Sequence, residues 1–322
     1  MHHLFMNCLP NHMITRIEEA YPDTKVTPCL KLDPDETEDY FQEEENQNFD
    51  PICLVGKEIL NNDFFVIQHI GSGGASEVYK VLDKNKNIFA AKIIKANKKV
   101  KTKKRSEKEI KLLLSIPPHP NIIKVVTHGY FKGNKVLILE YANNGSLSSL
   151  LVDRFLSYKK SLSFLVDVCD GLLHIHGNNF IHRDIKPQNI LICNEIAKLS
   201  DFGMAKDLKN ISDISSLNSI NGTINYIAPE LLNPESKKYD FFTDIYSLGI
   251  TIFHVLSGRL PFSGNIYQVI KHHVETVPPR PSELNRKISK DLEEIMLKML
   301  NKNPYERPSI KEIRDLLLEE LI

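Results

Sequence analysis

The stretch His182-Arg183-Asp184-Ile185-Lys186-Pro187-Gln188-Asn189, followed twelve residues after Asn189 by Asp201-Phe202-Gly203, decides how the rest of the chain is read. It places a proton acceptor, positive charge and two metal ligands within one short span. Phosphoryl transfer asks for that set, because the acceptor oxygen must be held in line, the developing charge neutralised, and magnesium gripped by carboxylate and amide oxygens. His-Arg-Asp alone is a chance tripeptide. With Lys at plus two, Asn at plus five and Asp-Phe-Gly beyond, the spacing is hard to reach by accident.

Upstream, Gly71-Ser72-Gly73-Gly74-Ala75-Ser76-Glu77-Val78 is glycine-rich, and bare backbone can approach phosphates closely because no Cβ stands in the way. The same glycines fit a dinucleotide-binding turn, which requires a helix next and an acid about 20 residues on. Residues 78–94 instead alternate like a hairpin around Lys84-Asn85-Lys86-Asn87, and this decides against the dinucleotide. Short β-type runs at 64–70, 77–82 and 88–94 alternate with turns at 71–76 and 83–87, the look of an antiparallel meander. A helix is expected at 108–116, then two strands at 122–130 and 135–141. After Gly145 the pattern is mostly helical, clearest at 162–176, 246–256 and 310–318.

Bulk properties restrict the class. The chain has 322 residues, 42% of them apolar and 25% charged, as in soluble globular proteins. No apolar run approaches the roughly 18–20 residues of a membrane helix, and the start lacks a basic n-region and a long h-region, so a cytoplasmic location is expected. Five scattered cysteines (Cys8, Cys29, Cys53, Cys169, Cys193) offer neither a disulfide framework nor a Cys-x-x-Cys metal site. His2, His3, Cys8 and His12 are too irregularly spaced for one. The net charge of zero hides a split: residues 1–50 hold twelve acids and three bases, net −9, and the remainder is +9. Residues 29–51 are acid-rich and without period, the composition of a disordered extension. The basic run Lys98 to Arg105 reads as a solvated face, and nucleic acid is not expected as a partner.

Together these motifs resemble the eukaryotic-type (Hanks-type) serine/threonine protein kinases, and the likeness runs from Asn62 to the end of the chain. The resemblance implies an α+β, two-lobed fold: an acidic extension at 1–61 and a kinase domain at 62–322. Its N-lobe (62–142) would be β-rich, a five-stranded antiparallel sheet plus one helix, and its C-lobe (143–322) α-rich. It implies ATP and Mg2+ as cofactors and proteins bearing Ser or Thr as substrates. Asp184 would accept or orient the substrate proton, Lys186 stabilise the transferring group, and Asn189 with Asp201 hold magnesium. Ala90-Ala91-Lys92 matches the strand whose lysine pairs with the phosphates, and Glu109, ten residues before His119-Pro120-Asn121, would position that lysine. ATP would contact Gly71, Ser72, Gly73, Gly74, Ala75, Ser76, Val78, Ala90, Lys92, Glu140, Ala142 and Leu191. Ser76 stands where the family has a third glycine.

The lesser residues refine the resemblance. Lys186-Pro187 and Gly222-Thr223 follow the serine/threonine branch. Arg183 beside the catalytic aspartate implies an activation segment ordered by phosphate, with Lys206 completing the pocket and Ser219 as primary site near Thr223. An activating kinase or trans-autophosphorylation would supply that phosphate. Ser146, Gln188 and His254 stand where arginine-directed relatives carry acids. Ala228-Pro229-Glu230 would close the segment, with Glu230 paired to Arg307, and Asp244 would brace the catalytic loop. A scaffold that keeps the fold without efficient transfer is the alternative.

Overall fold

Short apolar runs in the first half of the chain build an antiparallel sheet of six strands, one more than the sequence pattern predicts. The computed structural model describes residues 4–5, 26–27, 54–73, 76–95, 114–152, 156–202, 206–207, 224–232 and 240–322. Strands β1 (Glu58–Ile59), β2 (Phe64–Gly73), β3 (Ser76–Asp83), β4 (Ile88–Ile94), β5 (Val125–Phe131) and β6 (Asn134–Glu140) lie in the order β1-β2-β3-β4-β6-β5. The additional strand is β1, whose two residues pair with Phe65 and Phe64. Two residues carry no readable alternation. A turn with Leu60, Asn61 and Asn62 all left-handed (φ 52, 58 and 65°) makes the strand instead.

The hairpin that ruled out the dinucleotide turn is held by its own side chain. Asp83 Oδ1 accepts from the backbone N–H groups of Asn85 and Asn87, both at 2.8 Å, and Oδ2 accepts from Asn87 Nδ2. Cross-strand register then sorts the sheet into two faces. Tyr79, Ala91 and Ile138 lie opposite one another and are fully buried, as are Val81, Ile93 and Val136 on the same face. Val78, Lys92 and Leu137 form the neighbouring row on the other face. The predicted helix at 108–116 lies outside the described residues apart from its end, where Leu114 and Ser115 are helical.

Contacts divide the chain into two units. The first holds the six-stranded sheet; the second takes in the described residues of 114–124 and those from Ala142 onward. In the second, α1 (Leu147–Val152), α2 (Tyr158–Gly177), α3 (Phe241–Ser257), α4 (Ile266–Glu275), α5 (Pro281–Leu284), α6 (Lys290–Met299) and α7 (Ile310–Glu319) surround one apolar core. Helix α2 starts at Ser157, whose hydroxyl accepts from Lys160 N, and buries Leu165, Val168, Leu172 and Ile175 at helical spacing. Each such side chain contributes roughly 1.5–3 kcal/mol. Helix α3 is buried almost all round, and Gly249 lets α6 approach: a Cβ there would lie 2.8 Å from Met299 Cβ. Among the described residues no helix is long and apolar enough to cross a membrane.

Candidate active site

The segment 182–189 starts after strand β7 (Phe180–Ile181) and ends in a 3-10 turn, Pro187–Asn189, that feeds strand β8 (Ile190–Cys193). Proline suits the first position of that turn, having no N–H to leave unsatisfied. Strand β8 returns along β9 (Ile196–Leu199) through Asn194 and Glu195, both left-handed, as a two-residue hairpin requires. The site is therefore bracketed by regular structure on both sides.

A buried carboxylate shapes the first half of the segment. Asp244 of α3 accepts from His182 N at 2.8 Å and Arg183 N at 2.7 Å, and His176 Nε2 lies 2.8 Å from the same carboxylate. Burial alone would raise its pKa, but the bond from His176 and the surrounding positive groups outweigh that and leave it lowered. The two backbone bonds force a sharp bend, with Arg183 at φ 70°. A left-handed non-glycine residue costs about 1–2 kcal/mol, which bonds to an ionised acceptor offset. His182 in turn places Nε2 3.0 Å from the Ser200 carbonyl, and its ring lies 4.8 Å from that of Phe202. Histidine and phenylalanine here pack and orient.

The second half gathers the polar side chains. Asp184 Oδ2 accepts from Lys186 Nζ at 2.8 Å and Asn189 Nδ2 at 2.7 Å, while Asn189 Nδ2 also reaches the Asp184 carbonyl at 2.8 Å. Asp184 Oδ1 is buried and has no hydrogen-bond partner. A buried acceptor left in that state costs about 1–3 kcal/mol. Ser200 ties the next segment in, since its N and Oγ both donate to the Asn189 carbonyl at 2.9 Å, and Asp201 follows with φ 57°. With the Asn189 amide nitrogen committed to Asp184, its oxygen and the exposed Asp201 carboxylate are the donors suited to a hard cation. Among the described residues no three His, Cys, Asp or Glu side chains converge as a metal cage. Leu191 on β8 bridges to Ser146.

In the first unit Val78 lies opposite Lys92, and Ala90 lies between Lys80 and Leu139, so these residues share the face away from the buried tyrosine row. A Cβ on Gly71 would meet nothing within 4 Å, so the glycine keeps open space rather than a packing contact. Glu140 ends β6. Gly74, Ala75, Glu109, Ser219 and Thr223 lie outside the described residues, and so does the predicted pairing of Lys92 with Glu109. For Lys206 the backbone alone is described: it pairs with Ile181 through β10 (Lys206–Asp207).

Residues 64–316 match the protein kinase domain family. The chain belongs to the protein kinase family, in its serine/threonine branch. It is 33% identical, over 81% of its length, to a probable serine/threonine-protein kinase of Clostridium perfringens. It is 32% identical, over 88%, to a cell cycle serine/threonine-protein kinase of Saccharomyces cerevisiae, and 35% identical, over 82%, to 3-phosphoinositide-dependent protein kinase B of Dictyostelium discoideum. It spans 38, 41 and 29% of those relatives' lengths.

The same unit of this kinase holds a second, largely buried carboxylate. Arg307 and Glu230 form the buried bidentate pair read from the sequence, at 2.7 and 2.9 Å, and Arg307 also donates to the carbonyls of Asn301 and Phe242. Sequence reading missed His176, which comes within reach of Asp244 only when α2 and α3 pack; 68 residues separate them in the chain. It also missed the side chains that converge on Glu77. An acid beside a glycine-rich loop, with His and Lys at strand positions nearby, was the only signal available.

Proposed function

We propose that the chain transfers the γ-phosphoryl group of ATP to serine and threonine hydroxyls of proteins, with Asp184 orienting the hydroxyl and taking its proton. The observation that supports this best is Asp184 Oδ1, buried without a partner while the other oxygen is held by Lys186 and Asn189. A substrate hydroxyl donating to Oδ1 satisfies the orphaned atom, and the carboxylate, its other oxygen anchored, cannot swing away. Lys186, 2.8 Å from that anchored oxygen, keeps a cation beside the oxygens on which charge develops. Asn189 and Asp201 would hold magnesium, which when bound neutralises charge on the phosphates. Lys92, positioned by Glu109, would pair with the phosphates, and the backbone at Glu140 and Ala142 would receive the adenine.

Activation by phosphorylation near Ser219 and Thr223 belongs to the same reading. It is supported by the rigid backbone of Arg183, which fixes where a guanidinium would meet phosphate, and by Lys206, paired in strand with Ile181. Substrates without an arginine requirement are favoured by Ser146, Gln188 and His254. The ring of His254 is engaged by the Tyr226 hydroxyl at 2.8 Å, and burial lowers its pKa, so it offers neither a carboxylate nor a free cation. Phosphate transfer from ATP onto a serine/threonine peptide library, wild type against Asp184→Asn, tests the activity. Transfer that Asp184→Asn abolishes supports it; wild-type protein phosphorylated on its activation segment that transfers nothing would overturn it in favour of a binding scaffold.

A further inference from the structure

Where β2 and β3 approach the tip of the glycine-rich loop, an acid sits almost fully buried. Ser72 lies directly opposite Glu77, and Gly73 opposite Ser76 closes the ladder. Glu77 is 2% exposed, with Oε2 receiving the Ser72 hydroxyl at 2.6 Å and His69 Nε2 at 2.7 Å, and Oε1 2.7 Å from Lys95 Nζ. A register shift between His69 and Gly71 makes this possible. Residues three apart on a regular strand point to opposite faces, and one extra residue brings His69 and Ser72 to the same carboxylate. The His69 ring also stands edge-on to Tyr79, 5.1 Å between centroids. Lys95 comes from beyond the end of β4, two residues after Ile93, the cross-strand neighbour of Glu77. Burial raises the pKa of Glu77, but the bonds from Lys95, Ser72 and His69 outweigh it and bring it down to about 2.

We propose that Glu77, gripped by Ser72, His69 and Lys95, is a positioning latch that holds the glycine-rich strand pair from behind in the shape that receives nucleotide. The register places the latch on the face opposite Val78, Ala90 and Lys92, so the Ser72 side chain, expected from the sequence to meet ATP, turns away from that face and acts through the backbone of Gly71 and Gly73. Glycines make that backbone costly to order, and Ser72–Glu77 is the last side-chain staple before the tip among the described residues. A staple formed before binding removes part of the ordering cost from the nucleotide, so its loss shows as weaker binding rather than slower chemistry. An exposed hydroxyl is its weakest member: a second carboxylate at Ser72 would face Glu77 and force the latch open.

The proposal rests on the reading that this loop binds ATP, and the test separates the two. In the full chain, Kd for a fluorescent ATP analogue, KM for ATP, kcat and Tm are measured for wild type, Ser72→Ala, Ser72→Thr, Ser72→Asp and Glu77→Gln. Ser72→Ala should raise Kd and KM about fivefold, a part of the worth of one charge-assisted bond, and Ser72→Asp and Glu77→Gln tenfold or more, with KM changing more than kcat. Ser72→Thr, which keeps the hydroxyl, should return both to near wild type. Unchanged Kd and KM in Ser72→Ala and Ser72→Asp, whatever Tm does, would overturn the latch, as would Ser72→Thr behaving like Ser72→Ala. Wild-type protein that binds the analogue but transfers nothing would overturn the activity and leave the latch standing; no binding by wild type would overturn both.

Discussion

The catalytic loop and the glycine-rich strand pair are each shaped by a buried carboxylate, but the two carboxylates work differently. Asp244 comes from a helix far along the chain and bonds to backbone N–H groups at the start of the loop. Glu77 is part of the segment it holds and is bound by side chains from three neighbouring positions. Backbone donors cannot be substituted or modified away, so the loop that would carry proton transfer is held rigidly. Side-chain donors can be changed one at a time, and the strand pair is therefore the adjustable one. The difference teaches where this fold places rigidity: at the Asp184 loop rather than at the glycine-rich strand pair.

The most severe way to break the comparison is at Asp184, the proposed proton acceptor. Asp184→Asn should lower kcat by about a thousandfold or more while the melting temperature stays within a few degrees, since an amide can no longer accept the proton. Steady-state kinetics beside calorimetry read both. Asp244→Ala should cost about 3–5 kcal/mol of unfolding free energy, because two backbone donors and His176 lose a buried partner, and kcat should fall with it. Denaturant unfolding that shows less than 1 kcal/mol would mean that the loop holds its shape unaided.

A pH experiment sharpens the contrast, using a group in neither region. His273 is buried against Tyr246 and Phe262, and burial, then the Lys302 cation, brings its pKa down to about 4, partly countered by the backbone at Asn225 and Ile224. A depressed histidine is neutral when folded, so the unfolded chain takes up the proton first as pH falls. Stability should hold above pH ~6.5 and decline by about 3 kcal/mol toward pH ~4. His273→Gln should flatten that window. The Glu77 carboxylate acts lower, contributing stability above its ordinary range and losing it as pH falls toward about 2. The smallest effect expected is the fivefold loss of affinity in Ser72→Ala, the cleanest sign that the strand pair is tuned and not merely folded.

Much of the catalytic loop was legible because its residues are contiguous. Asp184, Lys186 and Asn189 lie within six positions, and the bonds that join them are local consequences of the 3-10 turn after Pro187. The longer strands were legible as short β-type runs bounded by turns, whereas β1 was missed because two residues make no run. Glu77 was invisible as a centre: its partners sit eight residues before, five before and eighteen after, on strands whose mutual register includes a shift. A one-residue change in that register would turn His69 to the opposite face.

Sequence alone therefore determined the family and the identity of the charged groups that the loop brings together, since these depend on residue type and on short spacing. Tertiary structure decided which carboxylates are satisfied and which is left with an orphaned oxygen. Asp184, Asp244 and Glu77 are chemically alike as written. Their difference comes from the donors that packing and strand register bring to them: three for Asp244, three for Glu77, and none for one oxygen of Asp184. Burial turns that count into energy, because a carboxylate oxygen removed from water must find its hydrogen bonds in the protein or wait for a substrate to supply them.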